Sequence, residues 1–436
     1  MRSMLAVVTL LFAAVPARAD DQPASAASAD QDAALKAELE KALQADKKPD
    51  GTAAAATATQ PAPLPTGGRA GQSLNPDISA IVDANGGYER RAPSYRSGDD
   101  PDLRGTAKSP GAGFTIQEVE IALSAIVDPY LKGEVYLTIP NQNGLEVDEA
   151  VITTTSLPGN FQVRAGSFRG AFGRQNGQHL HVQDFTRRPL VNAAFLGEGG
   201  MRGPGLQASW LAPTPFYLAI FGEAFSLAAD LPGAGADVPP LATFGGGRAT
   251  DLTYAVEAKA FFPFGDAWSV YLGASGATGK SPVAETLGRR SVLAGGDLYV
   301  KWKPANQSGG YHSLAWQTEA MWRWLDAASG LDASLDGGLY SQLVFQLARS
   351  WLLGVRGDVL GLPESPVVAR TYRESVSLTY VTSEFARLRL YGEAEQGSDR
   401  ASALQPTVVS LADPKSSFAA YLQLEMSIGA HGAHEF

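Results

Sequence analysis

From Asn75 to the end of the chain, apolar and polar residues alternate with a period of two. The last stretch shows it most cleanly. Phe418, Ala420, Leu422, Leu424, Met426 and Ile428 form an apolar row, interleaved with Ala419, Tyr421, Gln423, Glu425 and Ser427. A strand sends successive side chains to opposite faces, so such a segment has one greasy face and one wet face. Similar segments open at Ile78, Val119, Gly133, Val147 and Phe161. Others start near Gly205, Phe216, Asp251, Trp268, Ser291, His312, Gly338, Leu352, Arg370, Ala386 and Ser417. The total is about sixteen, and the even number suits strands that run up and down. Val147 to Leu157 is the one segment whose outward row the pattern leaves open.

The connections alternate in length. Short ones hold Asp128-Pro129, Pro158-Gly159-Asn160, Ala212 to Pro215, Phe264-Gly265-Asp266 and Thr382-Ser383-Glu384, whereas 89–113, 170–203, 227–248 and 397–415 are long. Short turns on one side and long loops on the other mark a transmembrane barrel and are not expected of a soluble sandwich. The expected fold class is therefore all-β, a transmembrane antiparallel up-and-down β-barrel of about 16 strands. Leu314, Trp316, Thr318, Ala320, Trp322 and Trp324 should face lipid, with Gln317, Glu319 and Arg323 inside. Trp268, Trp302, Trp322 and Trp324 lie near strand ends, where aromatic girdles form.

Residues ahead of the barrel are a different material. Arg2, the apolar run Leu5 to Val15 and Ala17-Arg18-Ala19 have the form of a secretory signal peptide, residues 1–19, cleaved before Asp20. Residues 20–74 read as a helical or disordered leader and linker, placed in the periplasm. Within it, Ser28 and Gln31 form a capping box for a helix carrying Leu35, Leu39 and Leu43, and Pro49 to Ala70 is rich in Ala, Thr, Pro and Gly. A short coiled coil is the alternative for that helix. Residues 75–436 are the barrel.

Composition adds little that conflicts. Cysteine is absent, 44% of residues are hydrophobic and 47 are glycine. Mean hydropathy is −0.08, as a polar lumen beneath an apolar skin requires. The net charge of −10 becomes −12 once Arg2 and Arg18 leave with the signal peptide, which excludes a nucleic-acid partner.

Phe436 shares the parity of the apolar row, and a terminal aromatic in that register resembles the signal that the barrel-insertion machinery reads on bacterial outer-membrane proteins. His431, Gly432 and His434 interrupt the row just before it. Phe161-Gln-Val-Arg-Ala-Gly-Ser-Phe-Arg-Gly-Ala-Phe-Gly173 resembles a porin signature, closest to the phosphate-selective porin O and P group and its uncharacterised relatives. Asn75-Pro-Asp-Ile-Ser79 and the tail Gly429 to Phe436 are similar to the two ends of such chains. Some relatives carry the label of a zinc-regulated TonB-dependent receptor, but a barrel of about 22 strands with a plug needs more chain than this. The resemblance implies localisation in the outer membrane, with lipid as partner. It also implies a homotrimer, passive diffusion of small hydrophilic solutes, and a pore narrowed by the third long loop, 170–203. No cofactor is expected.

That loop holds His179, His181, Asp184, Arg187, Arg188, Glu198 and Arg202, a dense charge set in a place where low-dielectric walls focus the field. Alternation with apolar neighbours puts Arg164, Lys301, Lys303, Arg356, Arg387, Arg389 and Glu393 on the lumen side. The loop has no lysine and the chain is acidic, which argues against phosphate specificity. His179 and His181 are spaced for two metal ligands on an extended segment, but spacing dictates no third ligand and no metal is expected. Ala274 to Ser281 matches a loose phosphate-loop pattern, yet that motif has to open a helix in a parallel α/β sheet, so an external glycine-rich loop is expected instead. His312 and Ser313 are adjacent and cannot act together on a strand, so no enzyme is expected. The rival readings are a metal- or substrate-binding uptake receptor and a non-conducting structural barrel.

Overall fold

The computed structural model describes residues 76–90, 101, 111–141, 144–197, 199–227, 243–245, 251–281, 289–304, 311–327, 332–365, 368–397 and 416–429. The expected signal peptide, leader, Phe436 and the histidines beside it fall outside these residues, as does Glu198. Sixteen strands follow one another along the chain. They are β1 (Asp77–Glu89), β2 (Gly111–Asp128), β3 (Leu131–Pro140), β4 (Glu146–Thr154), β5 (Phe161–Arg169), β6 (Arg202–Leu211), β7 (Tyr217–Phe225) and β8 (Thr253–Phe264). Then come β9 (Trp268–Lys280), β10 (Arg290–Trp302), β11 (Ser313–Leu325), β12 (Ser334–Ala348), β13 (Trp351–Leu360), β14 (Thr371–Ser383), β15 (Ala386–Gly397) and β16 (Ser416–Gly429). Each pairs antiparallel with its neighbours in sequence, and β1 pairs with β16 to close the barrel. Closure leaves no unpaired strand edge in the ring, which is what lets strands cross a membrane. Among the described residues no helix is long and apolar enough to cross one.

Parity follows lipid. On β16, Phe418, Leu422, Leu424, Met426 and Ile428 are exposed, while Ala419, Tyr421, Gln423 and Glu425 are buried inside the ring. On β11, Trp316, Trp322 and Trp324 face out and Gln317, Glu319 and Arg323 face in. Aromatic side chains gather at both strand ends. At the short-turn end, Trp268 and Trp302 are register partners with ring centroids 6.3 Å apart, and Trp351 and Tyr380 pair at 4.7 Å. Tyr88, Phe114, Tyr254, Tyr372, Trp322 and Trp324 are exposed near the long-loop end. The short connections lie where the alternation put them.

Two expectations need correction. β2 begins at Gly111, inside the connection expected to run from 89 to 113, because Gly111-Ala-Gly113 carries little apolar signal, and its parity changes midway. The change is a bulge: Asp83 pairs with Glu118 and Ala84 with Ile116, leaving Gln117 extra. The phosphate-loop look-alike is not a loop either. Ala274 to Lys280 lies inside β9, paired with β10 throughout and with β8 as far as Thr278, so its backbone serves the sheet and forms no phosphate cradle. Lys280 Nζ is 2.7 Å from Asp251 Oδ1.

A charge on the outer row should be costly where one on a connection is not. Leu422→Arg, with its leucine half exposed toward lipid, is expected to destabilise the barrel by about 2–4 kcal/mol. Denaturant unfolding from phospholipid bilayers measures this, with Leu422→Phe as the control, and equal midpoints for the two variants would place the row away from lipid.

Candidate functional site

The connection from β5 to β6, residues 170–201, turns inward and fills much of the ring. Its ends meet, since Gly170 N–H donates to Met201 O over 2.8 Å. Between them run two short α-helical pieces, α1 (Gly173–Asn176) and α2 (Leu190–Phe195), with a 3-10 turn at Leu180–Val182 in the connecting chain. Gly173 opens α1 at φ +65°, close beside the Glu319 carboxylate, where a side chain would be strained and crowded.

Backbone buried in this way must find partners, and strand-like chain inside a closed ring has no sheet to join. Wall arginines supply them. Arg356 Nη1 donates to Arg187 O at 2.9 Å, Arg373 Nη1 to Arg188 O at 3.2 Å and Arg389 Nη2 to Gln183 O at 2.7 Å, and Arg387 donates to His181 O. Gln117 Nε2, from the β2 bulge, donates to Thr186 O at 3.1 Å. Wall carboxylates do the reverse. Glu319 Oε1 accepts from Gln175 N–H at 2.6 Å, Asp358 Oδ1 from Leu190 N–H at 2.8 Å and Glu223 Oε1 from Ala171 N–H at 2.9 Å. Arg187 is fully buried. It reaches Glu89 on β1 and Tyr421 on β16 and lies 3.1 Å from Glu393 on β15.

Apolar packing fixes the rest of the loop. Phe172, Leu190, Val191, Ala194, Phe195 and Met201 join one buried cluster with inward side chains near the long-loop ends of the strands, among them Phe168, Phe225, Leu293, Met321 and Leu360. Full burial of a side chain such as Phe195 is worth about 1.5–3 kcal/mol. The loop is thus anchored both by oil and by ions.

The densest ionic cluster surrounds His179. Its Nδ1 lies 3.0 Å from Glu120 Oε2 and 3.6 Å from Asp148 Oδ2, and its Nε2 lies 3.2 Å from Glu149 Oε1. Asp148 and Glu149 are consecutive yet both buried in the lumen, because β4 bulges there: Tyr136 pairs with Glu149 and Leu137 with Val147. That bulge is also why alternation alone did not settle the outward row of this segment. Arg169 clamps Asp148 with Nε at 3.2 Å and Nη2 at 2.9 Å, and Arg202 also pairs with Asp148. Burial pushes the His179 imidazole down, but hydrogen bonds to Glu120 and Glu149 outweigh it and hold the group up, at about 9. One ligand atom each from Asp148, Glu149 and His179 lies within 4.8 Å of the others. A divalent cation there would meet two guanidiniums on Asp148, with Arg169 Nε 3.8 Å from Glu149, and a proton already bridging the imidazole to the carboxylates. The donor set is better matched to a proton than to a metal.

The remaining residues singled out in the sequence divide by exposure. His181 Nδ1 is 3.6 Å from Glu120. Arg188 is buried under β14, and Arg202 stands at the start of β6 near Glu146, at 3.4 Å. Arg356, Arg389 and Glu393 lie on the inner face but are buried. Arg356 pairs with Asp358 at 3.0 Å, and Glu393 accepts the Tyr391 hydroxyl at 2.5 Å. Their charge is committed to the loop rather than to water. Arg164, 3.5 Å from Glu149, and Arg387, 2.6 Å from Glu425, are partly open, as is Lys301 on β10. Lys303 is exposed just past β10, where its N–H donates to Ala267 O. Asp184 is drawn toward Arg389, Arg387, Arg174 and Lys301, yet burial raises its carboxyl above the usual range. Sequence reasoning missed Gln117, Glu120, Asp148 and Glu149, since bulges set three of them and all four meet a loop distant in sequence.

No protein-family model matches the chain. An uncharacterized protein of Aquifex aeolicus (strain VF5) is 31% identical over 360 residues, which cover 74% of this chain and 70% of that one. Among solved structures, the barrel is similar to the anion-selective porin from Comamonas acidovorans, with TM-score 0.52 and 10% identity over 81% of this chain and 99% of that one. It is also similar to the outer membrane channel DcaP of Acinetobacter baumannii, with TM-score 0.51 and 11% identity over 81% and 97% of the two chains. At such identities the likeness is one of fold.

Two measurements probe the anchoring. Arg356→Ala removes the donor to Arg187 O and the partner of Asp358, and breaking a buried pair costs about 3–5 kcal/mol. Trypsin should then cut after Arg187 faster than in the parent, and an unchanged rate would remove Arg356 from the anchors. His179 has a folded value above its ordinary 6.5, so its contribution is complete below 6.5 and is lost as pH rises through about 9. Hydrogen exchange across 175–188 should accelerate between pH 8 and pH 10 beyond the intrinsic base-catalysed rise, and His179→Gln should abolish that excess.

Proposed function

We propose that this chain, which belongs to the same family as the Aquifex aeolicus protein, is an outer-membrane channel through which small hydrophilic solutes diffuse passively. One observation carries the reading: a loop of the wall lies inside a closed sixteen-stranded ring, held by inward side chains of β1, β2, β4, β7, β9, β11 and β13 to β16. A segment fixed at that many points narrows a passage without sealing it by chance motions, and it sets which solutes fit. The porin-like fold and the lipid-facing aromatic ends support the same conclusion. Assembly as a homotrimer belongs to this proposal, on the strength of the porin resemblance alone.

The inner wall spends much of its charge on the loop. The inner charges that keep some exposure are mixed in sign: Arg174, Lys301 and Arg387 beside Asp184 and Glu134. Opposite charges facing one another give a field across the path with little net preference for either ion. The uptake-receptor reading finds less support, because the His179 cluster is already neutralised by Arg169 and Arg202.

Planar-bilayer recording tests the proposal. Wild type should give ionic steps with a reversal potential near zero in a potassium chloride gradient. Replacing 175–200 by a short glycine-serine tether, which the adjoining ends at Gly170 and Met201 accommodate, should raise the unitary conductance. No steps at any voltage would overturn the channel, and an unchanged conductance in the tethered variant would overturn the constriction.

A further inference from the structure

Four aromatic side chains stand at one level across neighbouring strands of the lumen wall. Tyr217 on β7 is the register partner of Phe261 on β8, Phe261 of Tyr271 on β9, and Tyr271 of Tyr299 on β10. Parity places all four inside: Tyr217 shares its row with Ala219 and Glu223, Phe261 with Glu257 and Lys259, Tyr271 with Ser275, and Tyr299 with Asp297. At about 4.8 Å between strands they make a strip roughly 14 Å long. Phe261 is 37% exposed and Tyr217 45%, although neither faces lipid. A phenyl ring left in the aqueous lumen, aligned with three phenols, forms an apolar patch of the kind that marks a binding surface.

One step along the strands toward the long loops, Lys259, Gly273 and Asp297 are in register. Lys259 Nζ is 3.0 Å from Glu257 Oε2. Asp297 lies flat across β9: a Cβ at Gly273 would come within 1.9 Å of its Oδ1, so only glycine permits this pose. Its carboxylate is 6% exposed, and neither oxygen receives a hydrogen bond. A buried acceptor left in this way is costly unless something donates to it. From the loop, the Arg174 guanidinium sits 4.0 Å from the Tyr299 ring centroid and 5.8 Å from that of Tyr271.

We propose that this strip binds the ring of a neutral saccharide, an inference that rests on the channel reading above. The apolar face of a pyranose covers Phe261 and Tyr271, while its hydroxyls donate to Asp297 and accept from Lys259 and Arg174. Ionisable groups of both kinds surround the strip, Arg174, Lys259 and Lys301 beside Asp184, Glu257 and Asp297. A free anion would meet the Asp297 and Glu257 carboxylates. A purely aromatic solute would leave Asp297 without a donor. A hydroxylated ring answers both needs.

Maltotriose is the probe, added to the channel in a planar bilayer and titrated calorimetrically into the detergent-solubilised full chain. The expected result is reversible interruption of the ion current, with a half-blocking concentration that rises at least about tenfold in Phe261→Ala and in Tyr271→Ala but is retained in Tyr271→Phe. Asp297→Asn should weaken block as well, and phenylacetate and inorganic phosphate should not compete. A half-blocking concentration that neither alanine variant moves overturns the inference, as does competition by phenylacetate or phosphate. A wild-type channel that conducts but shows neither block nor binding heat removes the saccharide site and leaves the channel standing. A chain that carries no current yet binds maltotriose, with heat lost in Phe261→Ala, keeps the site and removes the channel.

Discussion

A peptide chain inside a closed barrel has no sheet to join, and everything in the lumen follows from how its N–H and C=O groups are met. Here guanidiniums meet the carbonyls. Arg356, Arg373, Arg387 and Arg389 reach from three adjacent strands to four carbonyl oxygens between His181 and Arg188. Arginine suits the task because its fork of five donors can bind a loop carbonyl with one arm and a wall carboxylate with another. Arg356 does so with Asp358, Arg373 with Glu395 and Arg387 with Glu425. The carboxylates hold the forks in place, and the forks hold the loop.

That arrangement explains what sequence reading reached and where it stopped. Lipid imposes strict alternation, so the outward rows of β11, β15 and β16, and with them the strand number, were legible from hydrophobic period alone. The inner face carries no such constraint. An inward arginine reads the same whether it faces water or a carbonyl 169 to 206 residues away in sequence, and only the folded loop decides. Bulges hid more. The extra residue in β4 turns Asp148 and Glu149 to one side, toward His179, and the extra residue in β2 supplies Gln117 to Thr186 O, so both contacts with the loop arise where the period fails. A glycine-rich stretch inside β9 misled in the other direction, since Gly273 and its neighbours serve close approach within the sheet rather than a loop.

The lumen is made of two materials. Toward the long loops, apolar side chains of wall and loop form a continuous core, with α2 embedded in it. Toward the short turns, the inner face holds aromatics, lysines and carboxylates with water-accessible surface, among them Tyr217, Phe261 and Lys303. A soluble protein keeps its core at the centre; this one keeps part of its core inside the wall and leaves the rest of the interior wet. Rigidity belongs to the dry part.

Arg187 binds Glu89 on the first strand and Tyr421 on the last, and those two strands are the ones that meet to close the ring. Its partners are 98 and 234 residues away along the chain, on opposite sides of the seam. Before the seam shuts, the guanidinium has only half of its cage, and a buried arginine with half a cage is better off in water. The full cage therefore exists only in the closed ring, and the clasp resists reopening at the same joint. The loop inside the ring is also the lock on the cylinder.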